Sequence, residues 1–213
     1  MKKEEILKAL GWRYAVKTFD AGKKVSDADL SAILESGRLA PSTIGLEPWK
    51  FIVVTNPEIR AKIRTASWDQ TKVTDASHLV VLARRTDATP LPSEFVARVA
   101  KATGRPEAEL AGLKAMAEGS ITAHSGNPAV LDGWLAAQTY TPLGMMIETA
   151  ALMGIDTGPM EGFDPAQVDE ILGLKARNLS ATTMLAVGYR GDDAYAKAPK
   201  ARRPFEEAIE FIA

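Results

Sequence analysis

Hydrophobic positions recur along this chain with two different periods, and their alternation predicts the order of its elements. A short helix is predicted over residues 4–10. Residues 13–19, Arg13-Tyr14-Ala15-Val16-Lys17-Thr18-Phe19, alternate polar and apolar side chains and read as extended or loop. Ser26 is a good N-cap for a helix whose apolar positions Leu30, Ile33, Leu34 and Leu39 follow helical spacing, with Pro41 as its end. Residues 50–55 form a continuous β-branched and aromatic run bounded by Pro48 and Asn56-Pro57, which predicts a buried central strand. Residues 58–66 have helical character and 78–83 read as a second strand, so the spacing resembles an α/β unit. Residues 68–74 are polar and show no clear period.

Residues 88–127 are rich in Ala, Glu, Lys, Pro and Gly, with helices predicted near 94–103 and 106–119. Val130, Leu131, Trp134, Leu135, Met146, Ile147, Ala150 and Ala151 then recur at spacings of three and four, which predicts one long central helix closed by Gly154. Pro142 inside it removes a backbone donor and presses on the carbonyl of Gln138, a fault of about 3 kcal/mol in a regular helix, so a kink or break is expected there. A short edge around 155–158, a helix over 165–172, a third strand over 182–188 and an apolar tail over 205–213 complete the chain. No repeat or linker interrupts this order, and one α+β domain over residues 1–213 is expected.

Composition narrows the chemistry. The chain has 213 residues, 46% hydrophobic and 25% charged, and should bury enough surface to need no disulfide or metal. It has no cysteine, which removes thiolate nucleophiles and sulfur-ligated metal, and only two histidines, His78 and His124, so a metal site is not expected. His78 reads as a local capping partner at the start of a strand. A net charge of −1 gives no general field for nucleic acid. The N-terminus lacks the apolar core of a signal peptide and no stretch is long enough to span a membrane, so a cytoplasmic protein is expected. With so little side-chain machinery, side chains are not expected to carry the chemistry.

Two cationic clusters stand out: Arg13 with Lys17 near the start, and Lys200, Arg202 and Arg203 near the end. Each alone reads as solvated surface charge; brought together they suit a phosphate, at roughly 1.5–3 kcal/mol per charge-assisted bond. Two connections are dense in turn formers, Pro41-Ser42-Thr43-Ile44-Gly45-Leu46-Glu47-Pro48-Trp49 and Gly158-Pro159-Met160-Glu161-Gly162-Phe163. Taken together, an Arg-x-x-x-Lys-x-Phe start, Pro-Ser followed by Pro-Trp, the 68–78 segment, Met-Glu-Gly-Phe and the terminal Lys200/Arg202 cluster resemble, in order and spacing, the FMN-contacting segments of the nitroreductase family. The resemblance runs through almost the whole chain and is weakest over 88–127.

That resemblance implies a mixed sheet flanked by helices, a long central helix at a homodimer interface, and two FMN sites at the subunit boundary. It implies that Arg13, Lys200 and Arg202 bind the FMN phosphate beside Tyr14 and Ala15, and that Lys17 and Lys72 face the N1 and C2-carbonyl edge of the ring. Ser42 and Thr43 would reach the cofactor from the other subunit, and Ile44 and Gly45 beside them are further implied cofactor-binding positions. Pro159 and Met160 would shape the ring's face, while Glu161 and Gly162 offer a backbone N–H to N5, the atom that accepts hydride. The Glu161 carboxylate offers a means of repelling an anion or positioning a substrate. Residues 88–127 would form a variable lid. The implied activity passes hydride from NADH or NADPH, through the flavin, to a nitroaromatic, a quinone or a similar conjugated small-molecule acceptor by a ping-pong scheme. A flavin-storage protein of the same fold, or a reductase of enones or halogenated aromatics, are the alternatives. Ala15 stands where relatives often have a hydroxyl, Gly45 where Asn is common, and Asp69 where an amide is usual; Asp69 would then meet the pyrimidine edge. Arg84 and Arg85 are candidate partners for a 2′-phosphate.

Overall fold

The computed structural model describes residues 2–212; Met1, and Ala213 at the end of the apolar tail, lie outside the described residues. The chain opens with α1 (Lys3–Trp12) and α2 (Asp27–Arg38), then β1 (Trp49–Val54), α3 (Pro57–Ala66), α4 (Lys72–Asp75) and β2 (His78–Arg85). Next come α5 (Leu91–Thr103), α6 (Ala111–His124), α7 (Pro128–Gln138) and α8 (Tyr140–Leu152), and last β3 (Asp156–Met160), α9 (Pro165–Leu172), β4 (Leu179–Gly188) and α10 (Phe205–Ala208). Local signals account for many of the boundaries. The Ser26 hydroxyl accepts from the Asp29 amide, and Asn56, Asn127 and Asp164 cap α3, α7 and α9 in the same way, each followed by proline in the first turn.

The sheet runs β1-β2-β4-β3 with every strand pair antiparallel, and its parallel component is a single bridge between Ala15 and Thr157. β1 is therefore an edge strand, not the central strand its apolar run predicts. The run instead reflects two covered faces. Ile52 packs with the cluster of Ile63, Val73, Val168 and Met184, whereas Phe51 and Val53 pack with Ile33, Met146 and Leu185 on the other side. The α/β unit expected between β1 and β2 is also corrected. The turn after α3 and the short α4 bring the chain back to the end it left, so Val54 pairs with Leu79 and the strands are antiparallel neighbours.

β2 and β4 are the buried centre, with successive side chains feeding opposite layers: Leu79, Val81 and Ala83 on one face, Val80 and Leu82 on the other. Each such side chain is worth roughly 1.5–3 kcal/mol of apolar burial. α3 and α9 cover the first face, α2 and α8 the second. The predicted central helix is two helices, and the break falls at Thr139, three residues before Pro142. The shift has a physical reason: it places Pro142 in the first turn of α8, where its missing N–H leaves no intrahelical bond unmade. Gly154 does end α8, at φ 71°, with its N–H donating to Ala151 and that of Ile155 donating to Ala150, the Schellman pattern. Residues 88–127 form α5 and α6 around a smaller satellite cluster of Leu46, Ala88, Leu91, Ala117 and Leu135.

Candidate functional site

Residues 13–19 lie along the outer edge of β3 and are held there by three devices. The Val16 amide donates to the Thr157 carbonyl at 3.1 Å beside the Ala15 bridge. The Asp193 carboxylate accepts from the amides of Lys17 at 2.7 Å and Thr18 at 3.1 Å, and from Tyr195 at 2.9 Å, tying this segment to the C-terminal one. Burial opposes charge on Asp193, yet the backbone amides outweigh it and hold the carboxyl below its ordinary range. Gly158 supplies the third device, because a Cβ there would lie 2.9 Å from the Val16 carbonyl oxygen.

The result is a cleft of about 330 Å³ in which Arg13, Tyr14, Ala15 and Lys17 from the first segment face Lys200 and Arg202 from the last. No acidic side chain lines it. Arg13 Nε is buried without a hydrogen-bond partner, and burial together with Arg202 pulls the Arg13 pKa down. Burial first, then Arg13, Arg202 and Arg190, lower that of Lys200, whose ammonium donates to the Gly11 carbonyl. Tyr14 is pushed up to about 12 by burial and by the neighbouring Asp193. Its hydroxyl still lacks a hydrogen bond of normal geometry. Arg190 is a contrasting case: it is spent on Asp156 at 2.5–3.0 Å and lies against the rings of Trp12 and Tyr14.

Lys72 continues the cationic line. It is buried on α4, and burial, then the charge of Lys17, bring its pKa down to about 8. Arg60 fixes α4 from below by donating to the carbonyls of Val73 at 2.8 Å, Ala76 at 2.6 Å and Ser77 at 3.2 Å. Next along the edge, Met160 is buried in the core, and Gln70 Nε2 donates to the Gly162 carbonyl at 2.7 Å. Trp68 and Asp69 both take left-handed backbone, φ 52° and 57°, which puts the Trp68 indole against Gly162. Such backbone costs energy and clusters at functional sites. Asp69, expected at the pyrimidine edge, is exposed, and its carboxylate pairs with Arg64 Nε at 2.7 Å. Glu161 accepts from the Tyr140 hydroxyl at 2.8 Å.

Ser42, Thr43, Ile44 and Gly45 do not line this cleft. They precede β1, whose first residue Trp49 is coupled through Arg84 of β2 to Ser180, whereas Ala15 is coupled through Thr157 to Val187. From Ser180 to Val187 is roughly 23 Å at the ordinary rise of a strand, so the two groups sit at opposite ends of the sheet. The turn is tightly held: Ile44 has φ 58°, Gln138 Oε1 accepts from the Thr43 amide at 2.9 Å, and Arg98 donates to the Gly45 carbonyl at 2.8 Å. A left-handed β-branched residue is a strained one.

A family model described as the nitroreductase family matches residues 10–189. The chain belongs to the nitroreductase family. Among its relatives, a Staphylococcus haemolyticus protein named "Putative NAD(P)H nitroreductase" is 37% identical over 227 residues, covering 98% of each chain. A Bacillus subtilis protein of the same description is 36% identical over 221 residues, covering 99% of this chain and 98% of its own. Of solved structures, a Bacillus subtilis "putative nitroreductase" superposes with TM-score 0.83 at 20% identity, covering 99% and 100% of the two chains. An Exiguobacterium sibiricum "putative nitroreductase in complex with FMN" superposes with TM-score 0.79 at 21% identity, covering 100% and 98%. The α+β fold expected from the resemblance is thereby established.

Several residues that organise this cleft escape a reading of the sequence. Asp193 and Arg60 act on backbone groups, and no spacing along the chain marks those partners. Asp193 does carry one signal, that of an N-cap for the 3-10 turn over Ala194–Lys197. His78 keeps its structural role, with Nδ1 3.1 Å from the Ser77 hydroxyl that accepts from the Val25 amide. Arg84 and Arg85 are spent on Asp132, and on Asp87 and Glu94, which leaves neither guanidinium free for a 2′-phosphate. Among the described residues no helix is long and apolar enough to cross a membrane.

Proposed function

We propose that this protein is an FMN-dependent oxidoreductase that takes hydride from NADH or NADPH and delivers it to a conjugated, electron-poor acceptor such as a nitroaromatic or a quinone, one pocket serving both in turn. The observation that carries the reading is the cleft in which Arg13, Lys17, Lys200 and Arg202 converge with no lining carboxylate and with Arg13 Nε unsatisfied. Like charges gathered in this way oppose folding, and a bound dianion is what reverses the sign. The residues fit FMN: a phosphate would be held by Arg13, Lys200 and Arg202, and the electron-rich edge of the ring by Lys17 and Lys72. The flavin supplies hydride transfer when bound. The protein binds its phosphate, fixes ammonium groups at the edge that gains negative charge, and presents the backbone of Glu161 and Gly162 beside N5.

The separation of the Ser42–Gly45 turn from the cleft supports a homodimer. That turn serves the cofactor only if a second copy brings it across, and its strained, well-braced backbone supports a binding role over a plain connection. Exposed apolar side chains support the same reading, with Leu7 at 67% and Phe211 and Ile212 at 84% and 90% accessibility in the single chain. A second acceptor class has one specific support: a gut-bacterial enone reductase of fatty acid saturation metabolism superposes with TM-score 0.77 at 20% identity, covering 100% of both chains.

The test is a visible spectrum of the purified protein, followed by anaerobic addition of NADH or NADPH and then of a nitroaromatic, a quinone or an enone. Bleaching by the nucleotide and recolouring by an acceptor are expected. A flavin that stays oxidised under excess nucleotide would make this a flavin-storage protein, and a colourless monomer that refuses added FMN would end the proposal.

A further inference from the structure

Tyr140 opens α8 immediately after the break at Thr139, and its hydroxyl reaches across to the connection after β3, donating to Glu161 Oε1 at 2.8 Å. Tyr140 is 43% accessible and Glu161 is exposed, so neither is a core group satisfied in passing. A tyrosine has one proton to give, and this one is committed to Glu161. The remaining lone pairs of the phenol and the second carboxylate oxygen are acceptors, so the pair presents no donor to a neighbour and carries a full negative charge. Burial, then Glu161, raises the Tyr140 pKa, which keeps the phenol protonated and the arrangement intact through neutral pH.

We infer that the Tyr140–Glu161 pair sorts the small molecules that stack at this site, favouring those with an N–H donor or developing positive charge and rejecting carboxylates. The inference rests on the proposed FMN site, because it is the backbone of Glu161 and Gly162 that is assigned to N5; the Glu161 side chain is then within its own length of whatever lies over the ring. Two consequences have the same sign. The carboxamide N–H₂ of a nicotinamide finds two acceptors. As hydride leaves the dihydronicotinamide, its ring becomes cationic, and a nearby carboxylate stabilises that charge. An anionic acceptor meets the opposite field, and at about 6 Å in a half-exposed site the discrimination amounts to about five- to tenfold in affinity.

The probes are benzamide and benzoate, which have the same shape and differ in donor and charge. Each is titrated into the oxidised FMN-loaded protein at low salt, with perturbation of the flavin absorbance as readout, so that binding is measured without turnover. Wild type should bind benzamide about five- to tenfold more tightly, with the gap narrowing in high salt. Glu161→Gln, a surface replacement that keeps size and removes the charge, should bring the two within about twofold. Equal affinities in wild type, or a preference unchanged in Glu161→Gln, would overturn the assignment while leaving the flavin site standing. Failure of the protein to take up FMN would overturn both, and is seen before any probe is added.

Discussion

In the proposed site, Lys72 links the pH dependence of this protein to its cofactor. Its pKa stands at about 8 because burial comes first and the Lys17 charge second, against about 10.4 for a free lysine. Between these values the unfolded chain binds more protons than the folded one, so stability without cofactor rises with pH from about 8 to about 10. The full shift corresponds to about 3 kcal/mol; with a cleft open to water, about 2 kcal/mol is the reasonable expectation. Cofactor affinity has the opposite sign. An anionic ligand edge holds Lys72 charged, so binding above pH 8 must recruit a proton. The population ready to bind then falls about tenfold between pH 7 and pH 9. The assay is quenching of FMN fluorescence across that range, at constant ionic strength, for wild type and Lys72→Met. Wild type should lose about tenfold in affinity with proton uptake at pH 9, measured by calorimetry in buffers of different ionisation enthalpy, and Lys72→Met should be weaker at pH 7 and flat with pH. A wild-type affinity constant to pH 9, or the same slope in Lys72→Met, would refute the reasoning.

Other perturbations separate binding from folding. Arg13→Ala removes the guanidinium with the unsatisfied Nε and should weaken FMN by about 10- to 100-fold in equilibrium dialysis while leaving the melting temperature of the cofactor-free protein unchanged or raised. Gly158→Ala places a Cβ 2.9 Å from the Val16 carbonyl oxygen; residues 13–19 must shift, and a loss of about 1–3 kcal/mol in urea unfolding is expected together with weaker FMN binding. Asp193→Ala frees three part-buried backbone amides and should cost about 1–3 kcal/mol by the same measurement, with limited proteolysis cutting first between β4 and the C-terminus.

What the sequence made legible is what local chemistry decides. α9 matches its predicted bounds because Asp164, Pro165 and the glycine at 173 are neighbours of the residues they cap. β1 was recognisable as a strand, but its place at the edge was not, because a covered edge strand and a central strand can share the same apolar run. Pro142 announced a break in the central helix and misplaced it by three residues; the helix interrupts itself where proline becomes harmless, not where proline stands. At the site, the cations themselves were legible and their states were not. Arg13 and Arg190 are the same residue type beside the same tyrosine. Only the fold reveals that Arg190 is consumed by Asp156, whereas Arg13 retains an unpaired nitrogen. Asp69 adds a second case: nothing in its spacing marked the arginine on α3 with which its carboxylate pairs.

The contrast between those arginines explains how the chain tolerates so much uncompensated charge. The carboxylates near the cleft are spent on geometry: Asp193 on backbone amides, Asp156 on Arg190. Each rigidifies the frame and neutralises no group that faces the cleft. A carboxylate placed there instead would relieve the repulsion and raise stability, but any anionic ligand would then have to displace it and overcome its charge, and the affinity proposed to come from Arg13, Lys200 and Arg202 would be lost. The same logic applies to the glycines, since the close approach at Gly158 brings the cationic segment against β3 without a side chain filling the space. The unsatisfied charge is thus maintained by a frame whose own polar groups are satisfied elsewhere, and that division is what makes an anion the expected occupant.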